Sequence, residues 1–141
     1  MFRRISFRAS GHENIRASHR TTLMTTTENH LTLRGNCIIC VNAEKGLRDL
    51  PQEMKKMAKN SETVITLSIN VGAQSFTVKG RGDPKLTYSN AKDIVARKSS
   101  YTCDRTLMVN ADKAAHDMDK SFVSLLRGSK QEIMIVITTE L

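Results

Sequence analysis

The sequence is poor in aromatic residues, which narrows the binding modes open to it. Its 141 residues include no tryptophan, four phenylalanines and two tyrosines. Proteins that bind single-stranded nucleic acid commonly stack the bases on exposed aromatic rings. Any nucleic-acid binding by this chain would therefore depend mainly on contacts to the phosphate backbone, and its affinity would fall steeply with salt.

Proline, cysteine and long apolar runs are also scarce. Only two prolines and seven glycines are present, which argues against long flexible linkers. Three cysteines without an apolar leader segment favour a reducing compartment and free thiols over a disulfide framework. The longest aliphatic run, Ile133 to Ile137, is far short of the roughly 20 residues that span a bilayer. We therefore expect a cytoplasmic protein with no membrane partner.

Positive charge is concentrated in two segments. The net formal charge is +8, and residues 1–20 hold five arginines against Glu13, a net charge of +4. Residues 79–105 hold seven lysines and arginines against three aspartates, again +4, whereas residues 106–141 carry four against five, −1. Such segments attract anionic partners, for which nucleic acid and a phosphorylated metabolite are the candidates. A solvated surface that only keeps the protein soluble is the alternative.

A short motif occurs twice in the chain. VNAEKGLRDL at residues 41–50 is nearly repeated as VNADKAAHDM at residues 109–118, an offset of 68 that still aligns Ile65 with Ile133. Further upstream, GHENI at Gly11 resembles GDPKL at Gly82 at an offset of 71. The sequence therefore predicts a single domain, residues 1–141, built from two related halves at about 1–78 and 79–141. Related halves would pack about a pseudo-two-fold axis.

Each half has the pattern of a strand, a helix and a second strand. The helical stripes are Leu50, Met54, Met57 and Ala58, with the counterparts Met118, Phe122, Leu125 and Leu126. Residues 63–69 alternate apolar and polar side chains as a half-buried strand does, and so do residues 4–9. We expect an α+β fold of about seven strands and two helices, in which a twisted or barrel-like, mainly antiparallel sheet carries both helices.

Capping residues indicate where the two helices should begin. Asp49, with Gln52 three residues on, predicts a start near Pro51, because proline lacks the N–H that the first helical turn leaves unpaired. In the second half, Asn110 is a suitable cap and Asp112 fits a first turn. The second helix is therefore expected to begin earlier in its half than the first.

Motifs of known catalytic or metal sites are weak or missing. Residues 80–82, Gly-Arg-Gly, lack the rest of a dinucleotide fingerprint, and the chain contains neither a phosphate-binding P-loop nor a serine-hydrolase motif. Cys37 and Cys40 are three apart within a predicted strand, so their thiols should point to opposite faces and not share a metal ion. No metal is predicted and no cofactor is indicated, with a mixed site of Cys103, His12 and His19 left open.

The segment GHENIRASHR contains the main candidates of the first half. His12 and His19 are seven residues apart, with Arg16 between them and Arg20 after them. A neutral imidazole can act as a general base, and arginines can hold a phosphate or carboxylate through paired hydrogen bonds. The alternative is a turn at Gly11 whose histidines bond to the backbone.

Residues 97–106, RKSSYTCDRT, are the second candidate segment. They combine the cations Arg97, Lys98 and Arg105 with hydroxyl groups that include those of Ser99 and Tyr101. That mixture suits the several oxygens of a phosphate group, in a metabolite or in a nucleic-acid backbone. A polar loop between two strands is the alternative.

Three segments carry a resemblance to a known family. GHENIRASHRTT, LTLRGNCIICVNA and VARKSSYTCDRTLMVNADKAAHDM are similar to the archaeal domain-of-unknown-function family 371, over nearly the whole chain. The resemblance implies an archaeal, cytoplasmic protein and no particular activity. It also implies a histidine where this chain has Asp83, so a role shared by two equivalent histidines would lack one of them here.

Three hypotheses for function follow, and the sequence leaves open whether the protein is an enzyme. The first is a module that binds RNA or DNA through Arg3, Arg4, Arg8, Arg16, Arg20, Arg97, Lys98 and Arg105. The second is a small enzyme acting on a phosphorylated or carboxylated metabolite between the halves. Its residues would be His12 or His19 as general base, Arg16 and Arg105 as anion clamps, and Ser99 or Tyr101 as orienting donors. The third is a scaffold subunit, of undetermined oligomeric state, whose C-terminal strand pairs with a partner.

Overall fold

Eight strands and two short helices make up the computed structural model, which describes residues 1–141. In chain order they are β1 (Phe2–Ser10), β2 (Thr22–Thr26), β3 (Ile38–Cys40), α1 (Gln52–Ala58), β4 (Val64–Val71), β5 (Gln74–Arg81), β6 (Asp93–Arg97), β7 (Thr106–Met108), α2 (Lys120–Leu126) and β8 (Glu132–Glu140). A 3-10 turn precedes each helix, at Leu47–Asp49 and at Ala115–Asp117. Neither helix has the length and apolar character needed to cross a membrane.

The strands form two separate four-stranded sheets. One has the order β1-β8-β4-β5 with antiparallel neighbours throughout, and the other has the order β3-β2-β6-β7 with an antiparallel central pair and a parallel pair on each side. The fold is therefore α+β and mainly antiparallel, as predicted. The two sheets do not close into a barrel. Strand pairing joins them only at the isolated β-bridges Ser10–Val41 and Arg81–Val109.

Both sheets and both helices bury their apolar sides in one cluster of 33 residues. Every second residue of β4 is buried in this core, as its alternating sequence predicts. Burial also alternates along β8, so its continuously apolar run at residues 133–137 is fully covered on one face only. The helical stripes lie there as well, with Met54 of α1 fully buried and Phe122 of α2 only 4% exposed. Burying such a side chain stabilises the fold by roughly 1.5–3 kcal/mol.

The two helices begin at equivalent positions, so the early start expected for the second helix is wrong. α2 begins at Lys120, where the Asp119 carboxylate accepts a hydrogen bond from the backbone N–H of Phe122 over 2.8 Å. Asn110 lies well before the helix and has a positive φ of 53°. Asp49 caps the 3-10 turn rather than α1, because its Oδ2 accepts from the backbone N–H of Gly46 over 2.9 Å.

Rare backbone conformations recur at the two sequence offsets. Positive φ occurs at Ala17 (49°) and Tyr88 (51°), which are separated by the offset of 71. It also occurs at Asn42 (52°) and Asn110 (53°), which are separated by the offset of 68. Such values are uncommon for residues other than glycine, so the paired occurrence reflects paired local structures.

Two glycines allow loops to pack closely against the C-terminal ends of the two helices. A Cβ at Gly11 would overlap the carbonyl oxygen of Leu126 at the end of α2, and a Cβ at Gly82 would overlap that of Ala58 at the end of α1. Glycine permits these contacts because it has no side chain. As a result, the loop after Gly11 lies along α2 and the loop after Gly82 lies along α1.

Candidate functional site

A cleft of about 540 Å³ lies between α2 and the loop that joins β1 to β2. The loop contributes Arg16 and Arg20, the 3-10 turn contributes His116, and α2 with its C-terminal cap contributes Lys120 and Arg127. The other lining residues are small, apolar or neutral: Ala17, Ser18, Met118, Val123 and Ser124. No aspartate or glutamate lines the cleft, so its electrostatic potential is positive.

Helix α2 turns one side to the cleft and buries the other. Lys120, Ser124 and Arg127 follow one another at spacings of four and three residues, which places them on the same side of the helix. Phe122 is buried on the core side. The Nε of Arg127 donates a hydrogen bond to the carbonyl oxygen of Ile15 over 2.8 Å, so this guanidinium is held in place across the cleft.

The loop from Ile15 to His19 runs antiparallel to α2, as two contacts show. Ile15 accepts the hydrogen bond of Arg127 beyond the C-terminal end of α2. The carbonyl oxygen of His19 accepts a hydrogen bond from the backbone N–H of His116, before the helix begins, over 3.0 Å. Arg16 therefore belongs to the Arg127 end of the cleft, and Arg20 belongs to the opposite end.

The lysine and arginines of the cleft have no carboxylate partner, as is also true of most other lysines and arginines of the chain. The ion pairs of the structure involve Arg8, Lys92, Lys98, Arg105 and His116. Only His116 among these lines the cleft, and its Nε2 lies 3.4 Å from Oδ1 of Asp117. The two arginines of the loop, Lys120 and Arg127 thus present uncompensated charge.

Asp117 stands beside the cleft and is occupied by other partners. The backbone N–H of Ala114 donates to its Oδ2 over 2.8 Å, which holds the pKa of the carboxyl below its usual range. Burial opposes this effect, whereas Lys98, with its Nζ 3.2 Å from Oδ2, and His116 lower the pKa further. Asp117 is therefore engaged by Lys98 and His116, and it forms no ion pair with Arg16, Arg20, Lys120 or Arg127.

The His19 side chain caps a turn. Its Nδ1 accepts hydrogen bonds from the backbone N–H groups of Thr21 and Thr22, over 3.2 and 3.1 Å. Nδ1 therefore carries a lone pair, and only Nε2 is left for any proton transfer. In the other half, Asn90 Oδ1 accepts in the same way from the backbone N–H groups of residues 92 and 93, over 2.9 and 2.8 Å.

His19→Asn should preserve stability, whereas His19→Ala should cost about 1–2 kcal/mol. Asparagine can supply the acceptor that Asn90 supplies in the other half, but alanine leaves two backbone N–H groups without their partner. Urea unfolding of both variants and of Asn90→Ala measures the effect. Equal stability of His19→Ala and His19→Asn would show that this cap contributes nothing.

His12 lies outside the cleft and also bonds to the backbone. Its Nδ1 accepts from the backbone N–H of Asn14 over 3.0 Å, and Asp83 Oδ1 accepts from the backbone N–H of Lys85 over 2.8 Å. Both side chains thereby stabilise the turn that follows the close-packed glycine. The structure contains no group of three or more His, Cys, Asp or Glu side chains arranged to hold a metal ion.

The candidate residues of segment 97–105 have their partners outside the cleft. Arg97 donates from Nε to Thr106 Oγ1 over 2.9 Å and lies 4.9 Å from the centre of the Tyr101 ring. Arg105 pairs with Asp93 at 3.2 Å, and Lys98 pairs with Asp117 as described. None of the predicted anion ligands Arg97, Lys98, Ser99, Tyr101 and Arg105 lines the cleft.

The three cysteines have different environments. Although burial alone would raise it, the pKa of the Cys103 thiol lies below its usual value, because the backbone N–H of Arg105, the Thr106 hydroxyl and the Arg97 guanidinium favour the thiolate. The Nη2 of Arg97 is 3.3 Å from its sulfur. Burial raises the pKa of Cys37, which neighbouring groups offset only in part, and complete burial raises the pKa of Cys40.

Cys103 should therefore be the first thiol to react with iodoacetamide near neutral pH. The thiolate is the reactive form, and Cys103 is both partly exposed and the most readily ionised. Cys37 should follow slowly, and Cys40 should react only after unfolding. Timed labelling with peptide mass spectrometry gives the order, and labelling of Cys37 at the rate of Cys103 would contradict it.

Sequence reasoning missed three residues of the cleft. His116, Lys120 and Arg127 lie in the second half after residue 105, where the net charge of the chain is slightly negative. One local signal is available for two of them. Lys120 and Arg127 fall on the side of the predicted helix opposite the apolar Phe122, so they are expected to be exposed. Their meeting with Arg16 and Arg20 depends on tertiary contacts between the two halves.

Comparison with known proteins agrees with the resemblance in sequence. The chain is 39% identical to an uncharacterized protein of Methanocaldococcus jannaschii over 130 residues, which cover 92% of this chain and 96% of the relative. The sequence model of the family described as Domain of unknown function (DUF371) matches residues 7–140, nearly the whole chain. The protein belongs to the DUF371 family.

Proposed function

We propose that the protein binds a small anionic ligand bearing phosphate groups in the cleft between α2 and the β1–β2 loop. The observation that carries this proposal is the presence of Arg16, Arg20, Lys120 and Arg127 around one concavity with no carboxylate in its wall. Placing like charges together is unfavourable until an anion binds between them. Each charge-assisted hydrogen bond to a phosphate oxygen then contributes roughly 1.5–3 kcal/mol.

The size and shape of the cleft favour a small molecule over nucleic acid. Its volume of about 540 Å³ falls within the roughly 300–1,000 Å³ of small-molecule sites. Three of the cations predicted to bind nucleic acid, Arg8, Lys98 and Arg105, are paired with carboxylates. The proposal is limited to binding and assigns no reaction to the site.

The proposed architecture is a single domain of two duplicated halves related by a pseudo-two-fold axis. Strand orders β1-β8-β4-β5 and β3-β2-β6-β7 are unchanged when each element is exchanged for its counterpart in the other half. The bridge between Ser10 and Val41 has its counterpart between Arg81 and Val109, at offsets of 71 and 68. The matched positive φ values and the matched glycine contacts give further support.

Under this proposal the equivalent place, between α1 and the loop that joins β5 to β6, has a different arrangement of charge. The counterparts of Arg16, Arg20 and Lys120 are the uncharged Thr87, Ala91 and Gln52, whereas those of His116, Val123 and Ser124 are the cations Arg48, Lys55 and Lys56. The counterpart of Arg127 is Lys59, whose Nζ donates to the carbonyl oxygen of Leu86 over 2.9 Å.

Titration calorimetry with inorganic pyrophosphate at an ionic strength of about 0.15 M, where the Debye length is about 8 Å, tests the proposed function. The double variant Arg16→Ala/Lys120→Ala should bind at least about tenfold more weakly, because it removes a cation from each end of the cleft and pyrophosphate loses a charge-assisted contact at whichever end it occupies. The control variant Arg4→Ala/Lys56→Ala loses the same net charge at exposed positions outside the cleft. Its affinity should change less than about twofold, because salt screens distant exposed charges.

Two results would contradict the proposed function. One is the absence of pyrophosphate binding, and the other is equal weakening in the cleft variant and in the control variant. Anisotropy of labelled RNA and duplex DNA, measured with the same two variants, tests the nucleic-acid alternative. Tight, salt-sensitive binding that both variants weaken equally would favour nucleic acid.

A further inference from the structure

We infer that the ligand of this cleft carries two anionic groups at opposite ends of an uncharged organic body, as an α,ω-bisphosphate does. This inference rests on the proposed function and specifies the class of ligand. It follows from the distribution of the lining residues along the cleft, which places cations at both ends and neutral side chains between them.

Arg16 and Arg127 form the first cationic end. The hydrogen bond from Arg127 Nε to Ile15 holds the guanidinium beside the residue that precedes Arg16. Because Nε is occupied, the two terminal nitrogens of Arg127 remain for a ligand, and they can contact two oxygens of one phosphate group. Arg16 is exposed and lines the same cleft.

Arg20 and Lys120 form the second cationic end, and His116 lines the cleft with them. The backbone hydrogen bond from His116 to His19 brings the 3-10 turn against the residue that precedes Arg20. Lys120 is four residues after His116, at the first position of α2. All three side chains line the cleft, and none of them belongs to the first end.

The two ends are separated by the length of α2. Lys120 and Arg127 are seven residues apart, and a rise of about 1.5 Å per residue separates their Cα atoms by roughly 10 Å along the helix axis. Adjacent phosphate groups, as in pyrophosphate, are much closer together than these two Cα atoms. Two anionic groups held apart by a spacer of about six carbon atoms match the separation.

The middle of the cleft suits an uncharged body. Val123 lies between Lys120 and Arg127 on α2, and Ala17 lies between Arg16 and Arg20 on the loop. With Met118 they offer apolar surface, and Ser18 and Ser124 each add a hydroxyl. Phosphate oxygens placed against this surface would lose hydrogen bonds to water and gain few in return, whereas carbon atoms lose nothing there.

Calorimetric titrations with three probes test the inference: hexane-1,6-diol bisphosphate, hexyl phosphate and inorganic pyrophosphate. The bisphosphate should bind roughly tenfold or more tightly than either other probe, because only it engages both ends. Arg16→Ala and Lys120→Ala should each weaken the bisphosphate by about tenfold, and their effects should multiply in the double variant. Lys56→Ala is the control, and circular dichroism verifies that each variant is folded.

Hexyl phosphate separates the two ends. Because one phosphate occupies one end, only one of the two single substitutions should weaken it strongly. The inference is overturned if pyrophosphate binds as tightly as the bisphosphate and both substitutions weaken it equally, a result that would leave the proposed function intact. If none of the three probes binds, the proposed function fails together with the inference.

Discussion

Gly11→Ala is expected to destabilise the protein by at least about 3 kcal/mol. The added methyl group would overlap the backbone carbonyl oxygens of Leu126 and Gly128 at the end of α2. Backbone atoms cannot rotate away as a flexible side chain can, and the adjacent hydrogen bond from His12 N–H to Leu126 would have to lengthen. Overpacking of this kind reaches the upper part of the range observed for single substitutions.

Gly82→Ala should cost about the same, because its methyl group would overlap the carbonyl oxygens of Ala58 and Asn60 at the end of α1. Gly72→Ala is the control. Gly72 has a positive φ of 59° but open space around it, so alanine there should cost only about 1 kcal/mol. Urea unfolding measures all three, and a loss of 3 kcal/mol corresponds to roughly 10 °C in Tm.

If the Gly11→Ala variant is as stable as the wild-type protein, the loop does not pack against α2 as described. The description of this wall of the cleft would then be wrong as well. A large effect at Gly11 combined with none at Gly82 would contradict the proposed pseudo-two-fold relation, because the two contacts would then differ in kind. Similar losses at both positions would agree with both parts of the account.

Phe122→Ala should cost about 3–5 kcal/mol of stability. The ring is 4% exposed, belongs to the common core and lies 6.3 Å from the ring of Phe76, centre to centre. Its loss leaves a cavity under α2 that the neighbouring side chains can fill only in part. Phe122→Leu should cost less because it retains most of the buried volume.

The same substitution should also weaken anion binding in the cleft. Lys120 and Arg127 depend on α2 for their positions, and a cavity beneath the helix allows it to shift. Met54→Ala, in the equivalent position of α1, should lose about 2–5 kcal/mol of stability and retain the affinity for pyrophosphate. Unfolding and titration of both variants separate the two effects, and an equal loss of affinity in both would refute the role given to α2.

Much of the fold could be predicted from local sequence patterns. Alternation in residues 4–9 and 63–69 identified β1 and β4, because one face of an antiparallel strand is buried and the other is solvated. The apolar stripes predict both helices in a similar way, because one side of each helix is buried and the other is exposed. The short strands before the two helices, β3 and β7, are predicted as well, but the division into two sheets is not, because local patterns do not determine which strands pair.

The start of α2 was mispredicted because several residues suit a helix cap. Asn110 and Asp112 have the right side chains, but the chain at Asn110 adopts a positive φ and then forms the 3-10 turn before Lys120. Asp119, which caps α2, was indistinguishable by type from the earlier candidates. Local propensity ranks such positions poorly when tertiary packing decides between them.

Only part of the candidate site can be predicted from the sequence. Arg16 and Arg20 were identified within a basic segment, but the residues that meet them come from a part of the chain 96 to 111 positions later. From charge composition alone, Arg8, Lys98 and Arg105 are candidates for anion binding just as the cleft arginines are. Only the three-dimensional structure separates cations that face carboxylates from cations that do not.

The most direct test of the anion-binding cleft is a map of amide chemical shifts during titration with pyrophosphate, recorded by two-dimensional 1H–15N NMR. We expect the largest changes in residues 16–20 and 116–127, and we expect them to be absent from the Arg16→Ala/Lys120→Ala variant at the same ligand concentration. Changes centred on β1 and residues 97–105, or spread evenly over the basic surface, would contradict the account.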